Sequence, residues 1–185
     1  MLTLGHSTLS MDTFLDVLQQ NDCSTLVDVR TIPRSRHNPQ FARENMEAAL
    51  LQAGLSYQWM RDLGGLRHAR KDSRNLAWRN ASFRGYADYM QTAPFAKALE
   101  ILVGIQQSCT PRQCVILCAE AVPWRCHRSL IADALLVRGV PVEDIFVQKN
   151  GSSARKPHLL TPFAEVIGPC IIYPQPPQAP HSQVS

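Results

Sequence analysis

The sequence predicts one α/β domain of three layers: a mostly parallel five-strand sheet flanked by helices, with an irregular C-terminal tail. Short β-rich runs alternate with amphipathic helical patterns as far as residue 148, the order that builds a parallel sheet through strand–helix–strand crossovers. The strand candidates are nearly continuous apolar runs, as expected for strands covered on both faces. A chain of 185 residues suffices for one domain with its own core. The sequence divides into an α/β domain over 1–150 and a C-terminal extension over 151–185, expected to be partly disordered.

Leu2–His6 reads as the first strand. A helix follows over Met11–Gln20, where Phe14, Leu15 and Leu18 recur at helical spacing and Ser10 can act as N-cap. Thr25–Val29 is the second strand, apolar until Asp28. Phe41–Ala53 reads as a helix with Met46, Ala49 and Leu50 on one side and Gly54 as its stop. Leu55–Met60 is the third strand, and residues 61–85 are irregular. A helix over Tyr86–Gln107 is expected to break near Pro94. Gln113–Ala119 is the most apolar strand, His127–Arg138 a helix ended by Gly139, and Val142–Val147 the fifth strand. The proline-rich tail from Gly168 has no period.

Apolar residues make up 45% of the chain and charged residues 18%, which excludes a disordered polyelectrolyte. No apolar run is long enough to span a bilayer, and MLTLGHSTLS lacks the basic-then-apolar pattern of a secretory signal. We therefore expect a cytoplasmic protein without membrane contact, its six cysteines reduced. A net charge of +4 is compatible with an anionic partner.

The unusual polar residues fall where strands run out. The first strand ends in Gly5-His6-Ser7-Thr8, the second in Asp28-Val29-Arg30, the fourth in Cys118-Ala119-Glu120. In an open parallel sheet these carboxyl ends border the crevice where ligands bind, so three distant segments should converge on one rim. Asp28 and Arg30 share a strand face by period, as do Cys118 and Glu120. Each residue alone also fits ordinary strand-end capping; the three ends together favour a site.

Trp124-Arg125-Cys126-His127-Arg128 places Cys126 near a helix N-terminus among cations, where a thiolate, phosphate or carboxylate would be favoured. A half-buried structural cysteine is the plainer alternative. The spacing of Cys118 and Cys126 is unlike a zinc knuckle, so no metal is assigned. Two loops are basic: Thr31–Arg43 carries Arg34, Arg36 and Arg43, and residues 61–85 carry seven cations interleaved with Trp78 and Phe83. Arginine with aromatics suits phosphate contact and base stacking, and Gly64-Gly65 would allow close backbone approach. No Walker loop and no GxGxxG occurs, so no nucleotide cofactor is expected.

These motifs, with Pro33-Arg34-Ser35-Arg36, Leu63-Gly64-Gly65, Phe83-Arg84-Gly85-Tyr86-Ala87-Asp88-Tyr89-Met90 and Cys126-His127-Arg128, resemble the bacterial and archaeal family numbered 488 among the domains of unknown function. The likeness covers about residues 1–150 in order. It implies a compact α/β fold and a link to DNA repair or nucleic-acid metabolism.

The expected function is base processing in nucleic acid, DNA ahead of RNA, or in a nucleotide, by N-glycosidic hydrolysis of the DNA-repair type. Asp28 or Glu120 would be the catalytic carboxylate, with His6 or His127 assisting the leaving base. Ser7, Arg30, Ser35, Arg36, Gly64, Gly65, Arg84, Tyr86, Cys118 and Arg128 would hold substrate or phosphate; Trp78, Phe83 or Tyr86 could stack on an extruded base. Two alternatives stand beside this. Cys126 could accept an alkyl group, since Cys-His-Arg is similar to the active-site tripeptide of DNA alkyltransferases. Or the chain could be a non-enzymatic nucleic-acid-binding module or thiol/metal sensor.

Overall fold

Six strands form one sheet: β1 (Leu2–Gly5), β2 (Cys23–Asp28), β3 (Ser56–Trp59), β4 (Gln113–Cys118), β5 (Glu143–Val147) and β6 (Ser153–Pro157). The structure is a computed structural model and describes residues 1–34 and 36–175. The strand order is β3-β2-β4-β1-β5-β6, and every pairing is parallel except β5 with β6. The sheet thus has one strand more than expected, contributed by the extension. Its apolar signal is weak because Ser153-Ala-Arg-Lys-Pro157 is an edge strand, half-exposed to exposed.

Five helices cover the sheet: α1 (Met11–Gln20), α2 (Arg43–Gln52), α3 (Ala81–Tyr89), α4 (Ala93–Cys109) and α5 (Arg128–Val137). Alternate residues of β4 feed two separate cores. Val115 and Leu117 pack with Phe14, Leu18, Met46 and Leu50 of α1 and α2. Cys114, Ile116 and Cys118 face Tyr86, Phe95, Leu99, Leu130 and Leu135 of α3, α4 and α5. Both faces of the central strand are therefore buried, which explains its unbroken apolar run.

Local chemistry sets the helix ends. The Ser10 hydroxyl accepts from the Thr13 amide at 3.1 Å, the N-cap expected. α2 starts two residues later than Phe41, because Pro39–Phe41 form a 3-10 turn and the Phe41 ring is fully buried. Gly54, at φ +70°, and Gly139, at φ +74°, follow the ends of α2 and α5 in the left-handed region. The helix expected from Tyr86 to Gln107 is two helices. The Asn80 side chain caps α3, Thr92 caps α4, and Pro94 sits in the first turn of α4, where its missing N–H costs nothing.

The extension is ordered through Tyr173. Strands β7 (Glu165–Ile167) and β8 (Cys170–Ile172) form a hairpin, and the fully buried Tyr173 hydroxyl donates to Asp133 at 2.8 Å. His158 bridges Asp144 at 2.8 Å and Asp133 at 3.2 Å, and Thr161 adds two hydrogen bonds to Asp133. This buried cluster fastens residues 158–173 to α5 and β5. The proline-rich end over 176–185, where disorder was expected, lies outside the described residues. Among those described, no helix is long and apolar enough to cross a membrane.

Candidate active site

β1, β4 and β2 are neighbours, with Gly5 level with Cys118 and Asp28 level with Leu117. Their carboxyl ends therefore meet, as the strand-end polar residues foretold. The chain leaves β1 toward α1 on one face and β4 toward α5 on the other, so the crevice lies where the topology switches faces. A cavity of about 750 Å³ opens there, walled by His6, Ser7, Arg30, Gly65, Phe83, Cys118, Glu120, Cys126 and His127 among others.

The β1 end is shaped by close approach. A Cβ on Gly5 would overlap the Glu120 carbonyl, so only glycine fits. The amides of His6 and Ser7 donate to the carbonyls of Cys118 at 3.0 Å and Ala119 at 2.9 Å, extending the pairing one step past the strands. Ser7 then turns through φ +48°. Arg128, fully buried, donates to the carbonyls of Glu120 and Ala121 and pins the loop after β4. It holds the loop's backbone and is absent from the cavity wall.

Asp28 and Arg30 share a face, and they face each other. Arg30 Nε lies 2.9 Å and Nη2 2.5 Å from the two Asp28 oxygens, and the Tyr57 hydroxyl donates to the same carboxylate at 2.8 Å. Arg30 also reaches the Phe41 carbonyl at 2.9 Å and His6 Nε2 at 3.2 Å. Asp28 is fully buried and absent from the cavity wall, so the structure gives it a positioning part behind Arg30. His6 Nδ1 lies 2.9 Å from the Ser7 carbonyl, which can only accept. Nδ1 therefore carries the proton and Nε2 receives from Arg30. Burial, offset in part by the Ser7 hydrogen bond, lowers the His6 pKa from 6.5 to about 4, so the ring is neutral and both nitrogens are occupied.

Cys118, Cys126 and His127 form another part of the wall. Nδ1 of His127 is 3.9 Å from the Cys118 sulfur and 3.7 Å from that of Cys126, while Nε2 is 3.1 Å from the Val29 carbonyl. The closeness of the two sulfurs, with help from His127, holds Cys126 well below the usual thiol range and, together with burial, pushes Cys118 up. Gly65 lies against the His127 ring where a Cβ would collide, and Gly64 likewise crowds Thr31. The paired glycines thus bring backbone to the protein's own side chains, and only Gly65 also lines the cavity.

Glu120 is exposed and is the only carboxylate on the cavity wall among the described residues. Arg34 and Arg125, also exposed on that wall, hold no ion pair among the described residues. Of the expected stacking rings, Phe83 alone lines the cavity. Trp78 packs on Phe83 and Tyr173, and the fully buried Tyr86 donates its hydroxyl to the Leu63 carbonyl at 2.9 Å. Arg84 lies off this wall, Arg36 lines a neighbouring cavity of about 550 Å³, and Ser35 lies outside the described residues. Residues given no site role from sequence also face the cavity: Thr8, Thr31, Asn38, Asn80 and Ser82. Asp88 was another silent one. It accepts from the Arg70 amide, the Ser73 hydroxyl and the Asn75 amide group, and so orders the long irregular loop.

Comparison with known families matches residues 10–135 to DUF488, a domain of unknown function. The chain belongs to this family. The match runs from the turn before α1 into α5 and so includes most of the cavity wall. No curated protein and no solved structure matches the chain significantly. The DUF488 assignment names no function.

Proposed function

We propose that this DUF488 protein is a hydrolase acting on a base-bearing, phosphorylated ligand, either nucleic acid or nucleotide, with Glu120 as its catalytic carboxylate. The observation carrying this is the cavity wall itself: one carboxylate and two arginines without ion pairs among the described residues, with the Phe83 ring, around one opening. Arg34 and Arg125 would hold phosphate, Phe83 would stack on the base, and Asn80 and Ser82 offer hydrogen bonds to its edge. Glu120 would orient a water toward the sugar carbon and take its proton as the base departs with the electrons of the broken C–N bond. His6 has no free nitrogen for that task.

The cysteine reading has weaker support, because Cys126 is 3% exposed and an alkyl acceptor must reach its electrophile. The test is a panel of oligonucleotides bearing damaged or modified bases, together with nucleotides, read by mass spectrometry for free base and for protein adducts. Wild-type protein should release base with turnover, and Glu120→Gln should lose about 10²–10⁴-fold. No base released from any substrate, or Glu120→Gln acting like wild type, overturns the reading. A single adduct per chain would hand the site to Cys126.

A further inference from the structure

We propose that Cys118, Cys126 and His127 form a binding site for one soft divalent cation, best matched by zinc, with a fourth coordination position open to the cavity. The site needs no substrate and stands apart from the hydrolase reading.

Three donor atoms, the sulfurs of Cys118 and Cys126 and Nδ1 of His127, lie within 4.8 Å of one another. Zinc takes sulfur at about 2.3 Å and imidazole nitrogen at about 2.0 Å, so a tetrahedral ion sets sulfur and nitrogen roughly 3.5 Å apart. The observed separations are 3.9 Å and 3.7 Å. The sulfur–nitrogen distances need contract by only a few tenths of an ångström, while the two sulfurs, within 4.8 Å of each other, must come to the roughly 3.8 Å that a tetrahedral ion sets, a shift that side-chain rotation can supply.

The tautomer of His127 is the second observation. Nε2 lies 3.1 Å from the Val29 carbonyl, which can only accept, so Nε2 holds the proton. In the neutral ring this leaves the Nδ1 lone pair facing both sulfurs. A ligating histidine whose other nitrogen donates to a backbone carbonyl is the usual outer support of a metal site. The ring is held further by Tyr86, with centroids 5.0 Å apart, and by the close approach of Gly65.

The backbone explains how neighbours in sequence can act together. Cys126 is extended, at φ −136° and ψ 143°, whereas His127 is helical, at φ −59° and ψ −15°. The change of conformation between them swings two adjacent side chains to the same point. β4 delivers Cys118 to that point from its face toward α5. The ligand spacing is therefore set by a strand, a 3-10 turn and a helix start, which no compact knuckle pattern describes.

The donor set selects the ion. Two thiolates and an imidazole suit zinc and exclude calcium or magnesium, which take oxygen. Two thiolates also balance a divalent charge, so the occupied site is neutral and its burial is cheap. All three residues line the cavity, and three protein ligands with one open position is the pattern of a reactive rather than a purely structural zinc.

The test is metal binding by the full chain. Protein stripped with chelator and kept reduced is titrated with zinc against a chromophoric competitor, and separately with cobalt(II). One ion per chain is expected, with the charge-transfer absorption of cobalt–thiolate bonds. In mild denaturant, where the two buried thiols become reachable, zinc should shield Cys118 and Cys126, and not the exposed Cys170, from alkylation mapped by mass spectrometry. Cys118→Ser, Cys126→Ser and His127→Gln should each weaken binding by at least ~100-fold, and Cys170→Ser should change nothing. Because the buried variants could misfold, the wild-type cobalt spectrum and alkylation map decide on their own. Failure to bind stoichiometric zinc at micromolar concentration, a cobalt spectrum without thiolate absorption, or unshielded Cys118 and Cys126 would overturn the proposal. Base release that persists in zinc-free protein would leave the hydrolase reading intact, so the two claims can fail separately.

Discussion

Substituting Asp28 by Asn leaves the Arg30 guanidinium, only 6% exposed, without its counter-charge. The variant keeps the side-chain shape and one acceptor oxygen, so the Tyr57 hydrogen bond can survive while the two charge-assisted contacts at 2.9 Å and 2.5 Å weaken. Breaking one partner of a buried pair costs about 3–5 kcal/mol, and the retained acceptor puts this case near the low end. For a chain of this size that is a fall in Tm of about 6–12 °C. Arg30→Met alone should cost a similar amount, since it strands Asp28. The double variant Asp28→Asn/Arg30→Met removes both charges and should recover much of the loss, a coupling of about 1–3 kcal/mol. Urea unfolding of the four proteins measures it. Single variants within ~0.5 kcal/mol of wild type, or strictly additive effects, would refute the claim that Asp28 acts through Arg30.

Stability should fall on both sides of a maximum near pH 6.5. Burial pulls the His158 pKa down, but hydrogen bonds to Asp133 and Asp144 outweigh it and lift the pKa from 6.5 to about 9. That contribution is complete below pH 6.5 and disappears as pH rises through about 9, amounting to about 1–2 kcal/mol after allowance for screening. His6, with its pKa lowered to about 4, acts oppositely: its contribution is present above 6.5 and disappears as pH falls toward 4. Denaturation across pH should show the alkaline arm vanish in His158→Gln and the acid arm persist. Gly5→Ala should cost about 3 kcal/mol or more in the same assay, because Cβ meets the Glu120 carbonyl and backbone must move. Glu120→Gln should leave the melting temperature within ~1 °C while lowering turnover by the expected ~10²–10⁴-fold, since that side chain is exposed.

Convergence of the strand ends was legible because it follows from parallel topology: once Gly5, Asp28 and Cys118 end neighbouring strands, their loops must share a rim. The partition of roles on that rim was not legible. Asp28 and Glu120 look alike as strand-end carboxylates, and only packing shows one locked behind Arg30 and the other facing the opening. Tyr86 and Arg128 read as contact residues because their chemistry suits ligands, yet both are fully buried and satisfy backbone carbonyls of the protein itself. The extension hid its order for a related reason. Its anchors, His158, Thr161 and Tyr173, act through hydrogen bonds to the buried Asp133 and Asp144, which leave no periodic trace. Asn80 and Ser82 were missed because residues 61–85 read as irregular and the helix was expected to start at Tyr86; Asn80 in fact caps α3 while also lining the cavity.

The most direct measurement of the whole account is an amide NMR titration of the full chain with a nucleoside monophosphate and with a short single-stranded oligonucleotide. Binding at the cavity predicts saturable shifts at 6–8, 30–34, 80–83 and 118–127, weakening steeply with salt. Shifts confined to the far ends of the strands, or none with either ligand at millimolar concentration, would contradict it.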